Sequence, residues 1–580
     1  MYSSETPPGS PQPGPSTSPD DDSRPPRRGR PPKRARPAPP SDVDDSDSDD
    51  DGGNVWKNAT DLDTEPYRMR FTPTREPGFQ LPRGQNWSPF DLFSLFFSQN
   101  SIDFIVKNTN KFGNKLKSDK SYFRWFQLTS KEFLAFFGIV IFMGLVEVPS
   151  LVEYWNDDGF FGQDFVRASG MNRTRFMNIL TALHLCDLEQ DRQNEILKAR
   201  KEPYDPLFKL KPLMSDLQLA CKTYFVPGQN ISIDERMVAF KGRIGMKQYI
   251  KDKPTKWGFK LWILASSDSG YTYKFQVYTG KRLTQTQNGL GYDVVMGLMD
   301  GLFRQGYHLF CDNFYSSPKL CSDLFQRGCF MTGTIRENRI GFPKNLGNPL
   351  PVKAERGTSR WFRDGQTIFV KWKDTKVVCV ISTYYPATGR EMVERGKGKL
   401  VGGRYVKERV NIPPAIKGYN GNMGGVDLSD QLLKCYEIIR KSKKWWKTLF
   451  LHFIDVAIVN SFLIHKAIGG ELNHKMFRVN LAKSLLTSSE MQVNPSPGQG
   501  RPQKSDVRAE HCPVAIAKGG LDQKATKASL GRKNCKLCYD LDKREMKTPW
   551  QCSKCIVPLC LQLDRNCFQK WHSAECDNLR

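Results

Sequence analysis

Three aspartates offer the most chemistry. Asp234 closes the alternating run Ile231-Ser232-Ile233-Asp234. Asp312 ends the apolar run His308-Leu309-Phe310-Cys311. Asp427 opens a helical pattern behind Gly421-Asn422-Met423-Gly424-Gly425. Converging carboxylates can hold two divalent ions ~3.5–4 Å apart, which together activate an attacking oxygen and stabilise a leaving oxygen at phosphorus. Mg²⁺ (or Mn²⁺) takes oxygen ligands and keeps several waters, so few carboxylates suffice. The glycines ahead of Asp427 would let one backbone approach another closely. Spacing alone leaves a plainer reading open, because aspartates at strand ends commonly cap turns.

A second constellation lies at the C-terminus. Eight of the 15 cysteines fall in the last 69 residues. Cys535-x₂-Cys538 and Cys552-x₂-Cys555 each set two thiolates on one turn at the spacing of tetrahedral zinc, and Cys560, Cys567 and His572 follow. Eight ligands would bind two structural Zn²⁺, and the fold of so small a domain would rest largely on metal. Cys512 and Cys576 compete with His511 and His572 for the outer positions. The other seven cysteines (Cys186, Cys221, Cys311, Cys321, Cys329, Cys379, Cys435) read as core residues.

Charge says what such chemistry would act on. The 580 residues carry a formal charge of +26. Residues 1–55 hold eleven acids and seven bases, a net −4, which leaves +30 on the remainder. A folded body that basic suits a polyanion. Lys241, Arg243, Lys247, Lys251, Lys253, Lys256 and Lys260 follow the Asp234 strand, with Tyr249 and Trp257 between them. Arg440, Lys441, Lys443, Lys444 and Lys447 surround Trp445. Lysine and arginine would contact phosphates, and the aromatic rings would stack on unpaired bases. A solvated charged face is the alternative. Within the N-terminal tail, Arg27-Arg28-Gly29-Arg30-Pro31 resembles an AT-hook, in which Arg28 and Arg30 would lie in a narrow A·T minor groove. A nuclear-import signal is the competing use.

The supporting elements follow from periodicity and punctuation. Thirteen of 37 prolines lie in the first 40 residues, so residues 1–84 are expected to be a disordered tail. Residues 85–228 read mostly as helices. From Ile231 the order is β-β-β-α-β-α-β, with acids on the first and fourth strands, as in an α/β RNase-H-like nuclease. That domain is expected over 229–432, with the Gly/Pro/Lys-rich stretch at about 336–420, which holds a hairpin-like pair at Thr367–Lys373 and Thr375–Thr383, read as an insertion or a continued sheet. Helices resume over 433–487, a linker covers 488–507, and the cysteine-rich module covers 508–580. The longest uncharged apolar run, Phe133 to Val146, is too short to cross a bilayer, and no secretory signal is present. The expectation is an intracellular, nuclear protein without a membrane partner or a disulfide framework.

Four motifs then converge. Ser232-Ile233-Asp234-Glu235, Lys253-Pro254-Thr255-Lys256-Trp257-Gly258, Cys311-Asp312-Asn313-Phe314-Tyr315-Ser316-Ser317 and Gly424-Gly425-Val426-Asp427-Leu428-Ser429-Asp430-Gln431 resemble the piggyBac transposase family, in its order and at about its spacing. The resemblance spans roughly residues 85–580. It implies an RNase-H-like catalytic domain inserted in an all-α dimerisation and DNA-binding domain, followed by a cross-braced zinc module. It implies cut-and-paste transposition of double-stranded DNA at TTAA targets through hairpin ends, by a homodimer. It assigns catalysis to Asp234, Asp312 and Asp427, adds Asp430 as a nearby acid, and places Trp445 beside the DNA end. It maps the zinc ligands to His511, Cys535, Cys538, Cys552, Cys555, Cys560, Cys567 and His572, although the gap from Cys560 to Cys567 is longer than the family's. A chromatin protein is a further expected partner of the zinc module. The competing reading is a domesticated DNA- or chromatin-binding protein without transposition.

Overall fold

A computed structural model of the protein describes residues 55–82, 84–156, 163–251, 253–280, 287–401, 404–438, 442–487, 513–516, 532–553, 555–562 and 564–572. Arg28, Arg30, Arg440, His511, Cys512 and Cys576 lie outside the described residues. The chain divides into two compact units, Met1–Met491 and Gln492–Arg580.

In the larger unit, helices that precede the sheet in sequence and helices that follow it share one core. Helix α1, Ser130–Leu145, starts where the Thr129 hydroxyl accepts the Glu132 N–H (3.1 Å) and is apolar on nearly every face. Helix α2, Lys211–Thr223, carries a narrower apolar stripe. Much later in sequence come α6, Trp445–Ala467, and α7, His474–Thr487. Phe137 of α1 meets Phe450 of α6 at 6.1 Å between ring centroids. Gly138 of α1 lies so close to α7 that an added Cβ would be 3.0 Å from the Ala482 carbonyl. Among the described helices α6 alone has the length and apolarity of a membrane span, yet 94% of its most apolar window is buried in this core.

One polar cluster is sealed inside. The Arg478 guanidinium donates to Asp455 (2.9 Å) and to the Tyr436 carbonyl (2.8 Å), while Asp455 also accepts the Ile438 N–H (3.0 Å). Both charged side chains are essentially inaccessible. Burial pushes the Asp455 carboxyl up to about 6, against the pull of Arg478.

The sheet is mixed. Strands β1 (Asn230–Ala239), β2 (Trp257–Ser266) and β3 (Thr272–Val277) run antiparallel in succession. Helix α3 (Leu290–Met299) leads to β4 (His308–Cys311), which returns parallel to β1 on its other side. Helix α4 (Pro318–Gln326) then leads to β5 (Phe330–Thr334), parallel to β4. The spatial order β3-β2-β1-β4-β5 fits an RNase-H-like core. Helix α5, Gly425–Cys435, lies against β1 and β2.

The stretch at about 336–420, expected as an insertion or a continued sheet, adds three strands to the same sheet and also packs a small core of its own around Trp361, Trp372 and Ile416. Its strands β6 (Ser359–Asp364), β7 (Thr367–Lys373) and β8 (Val377–Ser382) continue the same sheet, with Val380 of β8 opposite Thr334 of β5. The open N–H and C=O row of β5 needs partners, and β8 supplies them. One expectation is corrected: the tail is shorter than 84 residues. Lys57–Asn58 pairs with β6, Trp56 is buried, and the Arg363 guanidinium grips both oxygens of Asp63 at 2.6 and 2.7 Å. Composition blurred that boundary, because scattered side chains, among them Trp56, Asp63, Phe71 and Phe79, anchor a segment rich in polar residues. Of the seven cysteines expected in the core, Cys379 is half-buried and Cys435 is exposed.

Asp455→Ala should lower the unfolding free energy by about 3–5 kcal/mol, since it leaves a buried guanidinium unpaired. Chemical denaturation measures this. Asp455→Leu combined with Arg478→Met should recover most of the loss, and a single-mutant cost below about 1 kcal/mol would mean that the pair does not hold this region.

Candidate active site and thiol clusters

The site begins with a register. Ile233 of β1 stands opposite Cys311 of β4, the last pair of that parallel ladder. The next residue on each strand is an acid, Asp234 on one and Asp312 on the other. Beyond this point β1 continues only against β2, so the side facing Asp312 is open. Asp312 turns the chain: its carboxylate accepts the Phe314 N–H (2.9 Å), and its carbonyl accepts those of Tyr315 (3.2 Å) and Ser316 (3.1 Å).

Helix α5 brings the third acid. Its first residue, Gly425, is buried so tightly that a Cβ would come within 2.6 Å of both the Ser232 hydroxyl and the Ser266 carbonyl. Only glycine permits that approach. The helix is fastened farther along by Arg236 of β1, whose guanidinium pairs with Asp430 and donates to the Ser429 hydroxyl at 2.8 Å. Asp427, in the first turn, is exposed. Asp430, expected among the catalytic acids, is therefore engaged as the counter-ion of a buried arginine.

The acids are not packed as a bare trio. Their oxygens do not all lie within 4.8 Å of one another. Instead the Lys253 ammonium stands 3.7 Å from Asp234 and 3.5 Å from Glu235, and donates to the Glu235 carbonyl at 3.2 Å. Lys260 approaches the other Glu235 oxygen (3.7 Å), which the Tyr315 hydroxyl also reaches (3.4 Å). Burial pushes the Asp234 carboxyl up to about 7. Lys253 pulls it down, while Glu235 and Asp312 push it up. Burial likewise raises Asp312. Such a pocket of partly buried carboxylates with raised proton affinity is a place that a cation stabilises. Glu235 is a site residue that the sequence reading did not single out, and Lys260, expected to contact phosphate, instead faces Glu235. The signal for Glu235 was its place beside Asp234, which a period-two strand would have turned to the opposite face.

The basic residues separate by direction. Lys241, Arg243, Lys251, Lys256, Lys443 and Lys444 are exposed, whereas Lys253 and Lys260 turn inward. Tyr249 and Trp257 are half-exposed and 4.8 Å apart, with the Lys247 ammonium over Trp257. Trp445 is half-buried against Phe259 (6.4 Å) and borders a 190 Å³ cavity with Tyr204, Phe208 and Met246.

In the smaller unit the cysteines form two interleaved clusters. Cys535, Cys538, Cys560 and Cys567 gather their sulfurs within 4.8 Å, and all four are buried. The Cys538 sulfur is 3.5 Å from Cys567 and 4.0 Å from Cys560. Tetrahedral thiolates at ~2.3 Å from one ion would stand about 3.8 Å apart. Burial raises the Cys560 and Cys567 thiols, but at Cys535 the N–H groups of Cys538 and Cys560 outweigh it and bring the group below the ordinary thiol range. The second cluster is Cys552, Cys555 and His572. Phe568's carbonyl lies 2.7 Å from the His572 Nδ1, which assigns the proton there and leaves Nε2 facing the Cys555 sulfur at 3.7 Å. Both clusters fit a thiophilic cation, and the long gap between Cys560 and Cys567 does not keep them apart. A third cluster, His184, Cys186 and Asp191, already holds an ammonium, since Lys209 donates to Asp191 at 2.7 Å.

A family model described as Transposase IS4 matches residues 88–462. The chain is 31% identical over 515 residues to the Homo sapiens PiggyBac transposable element-derived protein 3, covering 87% of this chain and 79% of that one. It is 28% identical over 424 residues to the Homo sapiens PiggyBac transposable element-derived protein 2, covering 71% and 66%. A solved piggyBac transposase synaptic complex with hairpin DNA aligns at a TM-score of 0.61 with 22% identity, over 84% of this chain and 98% of that one.

The thiol clusters make a direct prediction. Metal-free protein titrated with Co²⁺ should take up two equivalents with thiolate charge-transfer absorption, and Cys538→Ser should take up one. Two equivalents in the variant would show that Cys538 is not a ligand.

Proposed function

Because the chain belongs to the piggyBac transposase family, we propose that it is a cut-and-paste DNA transposase. It would excise and integrate an element at TTAA sites through hairpin ends, by phosphodiester hydrolysis and transesterification. The observation that carries this reading is the register that ends the β1–β4 pairing at Ile233 and Cys311, so that Asp234 and Asp312 follow side by side, with Asp427 in the first turn of α5.

In this reading Asp234, Asp312 and Asp427 hold Mg²⁺ (or Mn²⁺), and the ion would activate the attacking oxygen and stabilise the leaving one. The chain itself does the positioning. Gly425 seats α5, Arg236 fixes its angle through Asp430, and the Asp312 turn points that carboxylate at the open side of β1. Exposed Lys241, Arg243, Lys256, Lys443 and Lys444 take the phosphates, and Tyr249, Trp257 and Trp445 stack on unpaired bases. The clusters Cys535/Cys538/Cys560/Cys567 and Cys552/Cys555/His572 bind two structural Zn²⁺. His511, which lies outside the described residues, is the eighth ligand that the family resemblance implies. The active form is a nuclear homodimer, because two ends must be cut and joined together, and the zinc module adds contacts to transposon ends or to a chromatin protein. A domesticated DNA-binding role is the second reading, supported by human relatives named as derived from transposable elements.

An excision reporter tests the choice. A gene interrupted by the element's own ends flanked by TTAA should be repaired to a single TTAA by wild type and not by Asp312→Asn. Excision that survives the substitution removes the assigned carboxylates. Absent excision with DNA binding intact favours the domesticated role. Lys256→Ala should weaken DNA binding regardless of sequence and reduce the slope of log K against log salt by about one. An unchanged slope would take Lys256 off the phosphates.

A further inference from the structure

Lys253 stands apart from the other lysines of its hairpin. Lys251 and Lys256 face solvent, whereas the Lys253 side chain is 28% exposed and turned into the acid pocket. Its ammonium has three oxygen neighbours from two consecutive residues: Asp234 at 3.7 Å, and the carboxylate and carbonyl of Glu235 at 3.5 and 3.2 Å. Asp427 acts on it electrostatically as well. This is the coordination that a lysine adopts as an internal counter-ion. An exposed phosphate anchor would point its donors outward.

We propose that Lys253 is the resident counter-cation of the acid pocket and competes with the first divalent ion for Asp234. The inference rests on the reading that these acids hold a divalent metal. Carboxylates gathered in a partly buried place repel one another unless a positive charge stands among them. Lys253 supplies that charge in the free protein. A divalent ion entering beside Asp234 meets the ammonium at close range and is opposed by it. The long, flexible lysine stem lets Nζ leave without moving the hairpin, and a DNA phosphate drawn to the same face offers it a new partner. Metal loading is thereby favoured when DNA is bound and opposed when it is not, which would restrain cleavage before the ends are in place.

Mn²⁺ binding by the full-length protein, zinc-loaded and without DNA, reads this directly by electron paramagnetic resonance. Lys253→Met should bind Mn²⁺ on the order of tenfold tighter than wild type, the scale on which one neighbouring charge moves a carboxylate's proton affinity. Lys253→Arg, which keeps the charge, should track wild type, and thermal melting reports whether each variant is folded. Asp234→Asn should abolish the signal in every background. Equal affinity in wild type and Lys253→Met, with Asp234→Asn still silent, overturns the proposal and leaves the active-site reading intact. The same follows if Lys253→Met changes only the salt dependence of DNA binding. Mn²⁺ binding that ignores Asp234→Asn overturns the active-site reading itself.

Discussion

Carboxylates cannot be drawn together in a partly buried pocket without positive charge to hold them, and the larger unit is organised around that constraint. Asp234 and Asp312 are neighbours because two parallel strands end their pairing one residue earlier. Burial then raises both groups, and Lys253 and Lys260 are turned inward to meet the negative charge. The same electrostatics that make the pocket costly to form make it a cation site.

The elements around the pocket are built to keep it in place. Helix α5 is seated by a missing side chain, Gly425, and fastened by a buried arginine, Arg236. The polar ties continue outward: Thr272 of β3 meets Ser429 of α5 at 3.1 Å, and its backbone exchanges hydrogen bonds with Asn460 of α6 at 3.0 and 3.1 Å. A site on a helix and two strands is thus locked to the all-helical core by satisfied polar pairs, which fix angle and register where apolar contacts alone would allow sliding.

The smaller unit solves a different problem. Its apolar core is slight, with Leu537, Leu559 and Trp571 packed among the cysteines themselves. Interleaving the clusters makes the segments around Cys535 and Cys560 ligands of one ion and those around Cys552 and His572 ligands of the other. Two ions would then cross-link every described segment that carries a ligand. In the larger unit positive charge serves the chemistry of a pocket. In the smaller one it would stand in for a core.

The sequence by itself determined the acids, the thiol pairs and the strand order. Ile231-Ser232-Ile233-Asp234 and the β-β-β-α-β-α-β succession are local patterns, set by side-chain period and turn residues. The Cys-x₂-Cys spacing is likewise local geometry. Tertiary structure alone decided which charges those groups would meet. Seven basic residues between Lys241 and Lys260 look alike in sequence, yet Lys253 and Lys260 face the acids while Lys241, Arg243, Lys251 and Lys256 face water. Asp430 differs from Asp427 only by one helical turn, and that turn sends it to Arg236. The Asp63–Arg363 pair, which anchors the end of the tail to β6, joins residues 300 positions apart. Pairing across such distances depends on how strands align and helices rotate in the packed molecule, and composition and periodicity do not encode it.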